Sequence, residues 1–221
     1  ATKCEIPSGA EPRAMGSGPL STSVQALSFN TRKKTDQWQL GASWSVGNAW
    51  FGQREVRQWQ SIPVNLQAVE SHPGGVIDLA RNFAGLDVRT RSTIGSSTAV
   101  FGLAVEGQWD QRKGFENFIG PTLGLTGALR RDERNTAFST EVYAQSERHL
   151  TDDLVLHAGL RLGRLQLQSR DRFLNNGDDG GRQSTHTALP ALGLVGDLGT
   201  GSRWFASIGP ARETPTLAEL A

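Results

Sequence analysis

Cysteine is almost missing from this sequence. Cys4 stands alone among 221 residues, which excludes an internal disulfide framework and any thiolate zinc cluster. An excess of one charge is missing too. Lys plus Arg is 23 and Asp plus Glu is 22, without the basic surplus of a nucleic-acid binder, so no nucleic-acid partner is expected. No run approaches the roughly 18 apolar residues of a membrane-crossing helix; the longest weakly polar run, Ala188 to Gly196, is broken by Pro190. Residues 1–20 lack an apolar core with basic flanks and so do not read as a signal peptide; they read as an irregular segment rich in Gly, Pro and Ser. With no initiator Met and no closing signal after LAELA, the sequence is expected to be a piece of something longer. Hydrophobic residues make up only 37%, below the roughly 45–50% of soluble globular domains and thin for a helical-bundle core. Six Trp and nine Phe, beside one Tyr and one Met, are nevertheless too many aromatics for a disordered tail.

What the sequence does have is glycine, 26 residues against a usual share of about 7%, and a two-residue alternation. Between Leu154 and Gln166, residues Leu154, Leu156, Ala158, Leu160 and Leu162 form an apolar row. Val155, His157, Gly159, Arg161 and Gly163 form a small or polar one. Side chains of a strand point alternately to opposite faces, so this segment has one greasy side and one wet side. Val100–Trp109 and Asp36–Val46 repeat the pattern. Nine strands are expected on this reading: 21–29, 36–46, 49–60, 84–94, 98–109, 137–148, 153–167, 184–196 and 203–210.

Most of these are longer than the common soluble strand of about five or six residues. The connections near Gly47-Asn48, Ile94–Thr98, His149–Asp153 and Asp197–Ser202 are short. Ser61–Phe83, Asp110–Thr136 and Gln168–Arg182 are long. Short and long connections alternate, as periplasmic turns and extracellular loops do in a transmembrane β-barrel. The alternation also fits a soluble β-sandwich, a module for a small ligand or a carbohydrate, and the two readings differ in one respect. The barrel turns Leu156, Leu160 and Leu162 to lipid; the sandwich buries them under a second sheet. Trp50, Trp59, Trp109 and Trp204, near strand ends, suit an interfacial girdle or a sandwich core.

Catalytic constellations are thin, and no enzyme is expected. His72, His149, His157 and His186 show no metal-binding spacing, and neither a metal nor a cofactor is called for. The run from Asn175 to Gly181 lacks the order of a calcium loop and its bidentate terminal Glu. Pro73-Gly74-Gly75 has no following Gly-Lys-Ser/Thr, and no Gly-x-Ser-x-Gly elbow occurs. Charged and aromatic residues are expected in the long loops instead: Arg112, Lys113 and Phe115 with Arg130 and Arg131 in one, Arg172 in another. Such side chains would suit a small anionic ligand. Arg161, in the row with His157, is expected to face a polar lumen, because a cation on the lipid side costs about 2–4 kcal/mol near the midplane.

The C-terminal stretch carries a resemblance. Gly209-Pro210-Ala211-Arg212-Glu213-Thr214-Pro215-Thr216-Leu217-Ala218-Glu219-Leu220 resembles the Gly-Arg-Gly-Phe-Glu-x-Pro-Thr-x-x-Glu-Leu signature of TonB-dependent outer-membrane receptors. Gly209, Glu213, Pro215, Thr216, Glu219 and Leu220 match it. Gln58–Pro63 with Pro73–Leu79, Gln111–Phe118, Arg130–Asn135, and Asn176–Gly180 leading to Leu189–Ala191 are similar in order and spacing. They look closest to the enteric receptor type associated with iron transport and pyrroloquinoline quinone uptake. The resemblance covers residues 20–221. It implies an all-β, antiparallel transmembrane barrel segment in the outer membrane of a Gram-negative bacterium, surrounded by outer-membrane lipid. It also implies uptake of a scarce ligand, such as a ferric siderophore, another metal chelate or pyrroloquinoline quinone. An N-terminal plug would couple the barrel to the TonB–ExbB–ExbD system.

The family's barrel has about 22 strands around a plugged lumen. The expected domain layout here is an irregular segment over 1–20 and a partial barrel over 21–221, without plug or final strands. Pro210-Ala211-Arg212 stands where the signature has Arg-Gly-Phe. These departures read as a fragment or degraded copy of a receptor, not competent for transport alone.

Overall fold

The computed structural model describes residues 24–199 and 201–213. Alternation becomes a single antiparallel meander. Its strands are β1 (Arg32–Trp44), β2 (Gly47–Trp59), β3 (Val76–Ile94), β4 (Ser97–Phe115), β7 (Leu129–Thr151), β8 (Leu154–Asp171), β9 (Gly181–Asp197) and β10 (Arg203–Ile208). Each pairs with the next in that order. A two-residue-per-strand hairpin, β5 (Phe118–Ile119) and β6 (Thr122–Leu123), sits in the β4–β7 connection. Among the described residues β1 and β10 are the sheet's edges and the barrel is not closed.

Eight of the nine expected strands form, most of them longer than expected. The ninth does not. Val24–Ser28 within 21–29 is a short helix, α1, and residues 21–23 lie outside the described residues. The helix stops at Asn30, whose φ of 46° is left-handed, a conformation Asn tolerates better than most residues. Phe29 is buried beside it. At the other end, β10 stops at Ile208 rather than 210; Pro210 has no N–H to continue a ladder.

The connections separate by length more cleanly than expected. Ser45-Val46, Gly95-Ser96 and Asp152-Asp153 are two-residue turns, and 198–202 is a short one. They share one end of the sheet. The connections 60–75, 116–128 and 172–180 share the other. The first holds a one-turn helix, α2 (Val64–Gln67).

Register assigns every strand residue to a face. Leu40 lies opposite Phe51, Phe51 opposite Ala84, Ala84 opposite Gly107, and Gly107 opposite Phe138. Val105 lies opposite Thr140, Val142 opposite Leu162, and Leu162 opposite Ala188. This face is apolar and uncovered: Phe51 is 50% exposed, Phe101 53%, Leu160 43% and Leu162 44%. The sandwich reading is thereby corrected, since among the described residues no second sheet covers the leucine row and the remaining hairpin is too small to do so. Leu154 to Leu162 spans eight rises of about 3.3 Å, or roughly 20 Å of height at a strand tilt near 40°, close to the apolar band of about 25 Å on outer-membrane barrels. Trp38 and Trp109 share the row that ends the band on β1–β4.

Candidate functional site

The other face is polar, and several of its charges are paired. Arg81 on β3 meets Asp110 on β4 through two hydrogen bonds, Nε to Oδ1 at 2.9 Å and Nη2 to Oδ2 at 2.8 Å. Gln108 donates to the same carboxylate at 3.1 Å. Next along, Glu133 on β7 lies 2.8 Å from Arg131 and 3.9 Å from Arg112, and Asn135 donates to it at 3.1 Å. Asp110 and Glu133 are buried beneath these side chains. A buried carboxylate is tolerable because each is held by a guanidinium and a further donor.

Nearer the two-residue turns a second set repeats the arrangement more openly. Tyr143 donates its hydroxyl to Asp87 at 3.1 Å, and Arg161 lies 3.3 Å from Glu141 and over the Tyr143 ring. Arg161 therefore occupies the polar face, as its row implied. Between the two sets, Trp50, Arg54, Arg81, Phe83, Glu106 and Gln108 line a shallow groove of about 340 Å³. It combines guanidiniums, a carboxylate and aromatic faces, a surface able to hold a polar or anionic solute against the wall.

The long connections are tied together above this wall. Gln67, fully buried in α2, donates to the Ile62 carbonyl at 2.6 Å and accepts from the Asn117 N–H at 2.9 Å. Asn117, also fully buried, donates from Nδ2 to the Gln60 carbonyl at 2.5 Å. Backbone bonds from Gly75 to Phe115 and from Gln60 to Gly75 complete the clasp. Gly74 has a φ of 87°, and a Cβ there would collide with the Phe115 carbonyl, so only glycine fits. His72 accepts the Gly74 N–H on Nδ1 at 3.0 Å. Burial first, then the Arg130 and Arg131 guanidiniums, hold this imidazole below the ordinary histidine range, which keeps it neutral and able to accept.

The six residues expected in loops need correcting in placement. Arg112, Lys113 and Phe115 are on β4, and Arg130 and Arg131 are on β7; only Arg172 is in a loop. Pairing continues past the apolar band, where both faces are polar and alternation gives no signal. Arg112 and Arg131 share the polar face with Glu133 between them. Arg130 is the extra residue of a bulge and donates to the Val69 carbonyl at 2.6 Å, with Glu116 3.7 Å away. Arg172 lies 3.9 Å from Asp132. Lys113 and Phe115 belong to the opposite row of the same strand, so they face away from Arg112 across the sheet.

Arg81, Asp110, Glu133, Asn135, Gln67 and Asn117 were missed by sequence reasoning. For Arg81, Asp110 and Glu133 a signal existed: each falls on the parity of Arg161's row once the strands are extended. For Gln67 and Asn117 there was none. Of the signature residues, Gly209 and Glu213 follow β10, while Pro215, Thr216, Glu219 and Leu220 lie outside the described residues, as does the segment 1–20. Among the described residues no cluster of three metal-ligating side chains occurs.

Residues 9–221 match the family model for the TonB dependent receptor-like β-barrel. The fold is similar to that of the ferric yersiniabactin uptake receptor FyuA from Yersinia pestis, at 17% identity and a TM-score of 0.54 over 80% of this chain and 28% of that one. It is also similar to the ferric citrate transporter FecA in its unliganded form, at 14% identity and 0.53 over 79% and 27%. The open form of the ferric-catecholate import receptor Fiu from E. coli K12 matches at 11% identity and 0.50 over 83% and 36%. At these identities the likeness is one of fold, and the chain spans between about a quarter and just over a third of those receptors. An eight-stranded two-faced wall, turns at one end, long connections at the other, and a family match over nearly the whole sequence lead to one conclusion: the chain belongs to the TonB-dependent receptor β-barrel family of the Gram-negative outer membrane.

Proposed function

We propose that this chain forms part of the lumenal wall and outer loops of a transporter that takes up a scarce, anionic metal chelate without chemical change. Energy comes from the TonB–ExbB–ExbD system through a plug domain seated against the polar face. The observation that carries this reading is the sheet's two-sidedness: paired guanidiniums and carboxylates opposite an uncovered apolar face. Arg112 and Arg131, on the polar face at the loop end, are the ligand contacts of choice, followed by Arg130 and Arg172. Lys113 and Phe115, on the opposite parity, support the loops. The groove's mixture of Arg54, Arg81, Trp50 and Phe83 also suits an aromatic carboxylate, and pyrroloquinoline quinone is the second ligand to try.

The test is uptake by the full-length receptor in a strain lacking its own receptors, with and without TonB. Radioiron carried by citrate, catecholate and phenolate chelators is measured beside growth dependent on pyrroloquinoline quinone. Energy-dependent entry of at least one compound is expected, reduced by Arg112→Gln/Arg131→Gln. Undiminished entry in the strain lacking TonB defeats the proposal.

A further inference from the structure

Above the apolar band, the outward face carries an unbalanced set of cations. On β1–β4 the cations Arg32, Lys34, Arg57 and Lys113 interleave with Asp36, Glu55 and Asp78 on the same parity; Arg57 lies 3.6 Å from Asp78 and Arg32 stacks over the Trp59 ring. On β7–β9 the balance disappears. Arg134 is directly opposite Arg170, Arg182 is opposite Gln168 and so diagonal to Arg170, and Arg164 is opposite His186. All five are exposed. None of the four arginines forms an ion pair among the described residues; Arg164 has only the Ser184 hydroxyl, at 3.3 Å. The nearby carboxylate, Asp132, is 3.9 Å from Arg172.

Like charges directly opposite each other destabilise a sheet, whereas the two arginines on the polar face of the same strands each have a carboxylate, Arg131 at 2.8 Å from Glu133 and Arg161 at 3.3 Å from Glu141. An anion from outside the protein relieves the repulsion. The positions identify its source. Arg164 and His186 lie one step along their strands beyond Leu162 and Ala188, the last apolar residues of the row, at the height where hydrocarbon gives way to headgroups. Arg134, Arg170 and Arg182 stand further out on the same side as the long connections, the extracellular side of a barrel.

We propose that the outward face of β7–β9 binds the phosphorylated headgroup of an outer-leaflet lipid. The bridging of Arg134, Arg170 and Arg182 by phosphate neutralises them and fixes the barrel's height and rotation in the membrane. This rests on the outer-membrane placement of the family but not on the transport reading.

The experiment uses the full-length receptor extracted in mild detergent, with bisphosphorylated lipid A as the probe in phosphatidylcholine nanodiscs. Each surface arginine near an anionic headgroup strengthens binding roughly fivefold. The Arg134→Gln/Arg170→Gln/Arg182→Gln variant is therefore expected to bind on the order of a hundredfold more weakly, with a shallower salt dependence. Lys34→Gln/Arg57→Gln should bind as the unmodified receptor does. Replacement of the three arginines by Lys should retain most of the affinity. The unmodified receptor should prefer bisphosphorylated over dephosphorylated lipid A, a comparison that decides the matter even where the triple Gln variant fails to fold. Equal binding of the two lipids, displacement by excess inorganic phosphate, or an unaffected and folded triple variant each overturns the proposal. Loss of chelate uptake in every strain would defeat the transport reading and leave the lipid result standing.

Discussion

Ala158 and Gly159 are neighbours in β8, and the same substitution at each should have opposite consequences. Ala158 is the middle residue of the row Leu154, Leu156, Ala158, Leu160, Leu162, and so sits near the centre of the apolar band. An arginine on the lipid face near the midplane costs about 2–4 kcal/mol, and replacing alanine sacrifices little packing, so nearly all of the loss comes from the charge. At about 1.4 kcal/mol per tenfold, that lowers the folding equilibrium roughly 30- to 700-fold. Gly159 faces the lumen, and a Cβ there meets only the Ala144 carbonyl at 3.7 Å and the Gln145 Cβ at 3.9 Å, ordinary contacts. Gly159→Arg should stay within about 1 kcal/mol of the parent. A depth series sharpens the comparison: Leu162→Arg, next to the native Arg164, adds a charge penalty of only about 0–1 kcal/mol, and Leu160→Arg falls between. The measurement is denaturant unfolding of the full-length receptor in phospholipid vesicles, followed by tryptophan fluorescence. Equal losses for Ala158→Arg and Gly159→Arg, or a larger loss at Gly159, would refute the assignment of faces.

Three further outcomes are expected. Asn117→Ala removes both the Gln60 bond and much of the packing around Gln67, leaving buried groups unsatisfied at about 1–3 kcal/mol, and should make the 60–75 connection the first site of limited proteolysis. Asp110→Ala leaves Arg81 without its carboxylate. A fully buried pair would lose about 3–5 kcal/mol; with the Arg81 side chain 30% exposed about 2 kcal/mol is expected, read from the unfolding midpoint and restored by the second change Arg81→Met. The clasp should also depend on pH through His72. Its folded pKa is lowered by burial and by Arg130 and Arg131, so protonation favours the open form. The contribution is fully present above the ordinary histidine value of about 6.5 and is lost as pH falls through the lowered folded value. Amide exchange at Gly74 should quicken over that window, and His72→Gln should flatten the response.

Much of the fold was legible because the forces behind it are local. The alternation from Leu154 to Gly163 requires an extended chain with one apolar side, whatever the neighbours are. Two-residue turns opposite long connections follow from where that alternation stops. Arg161 could be placed in the lumen from its row alone. At the loop end the same logic ran out. Around Arg112, Lys113, Arg131 and Glu133 both faces are wet, so the period of two vanishes from the sequence while the backbone ladder continues. Residues read as loop thus became strand. In 24–28 the opposite happened: apolar residues suggested a strand, but a short helix formed, followed by the left-handed Asn30.

The sequence by itself determined a two-faced β-structure, its family and the membrane it belongs to, since hydrophobic periodicity and motif order are written along the chain. Only the tertiary structure decided which charges meet. The pairing of Arg81 with Asp110, the clasp of Gln67 and Asn117 across 50 positions, and the opposition of Arg134 to Arg170 depend on strand register. Register is fixed by where each turn and bulge falls, as at Gly95-Ser96 and between His149 and Thr151, and a shift of one residue would send the strand side chains among these to the other face.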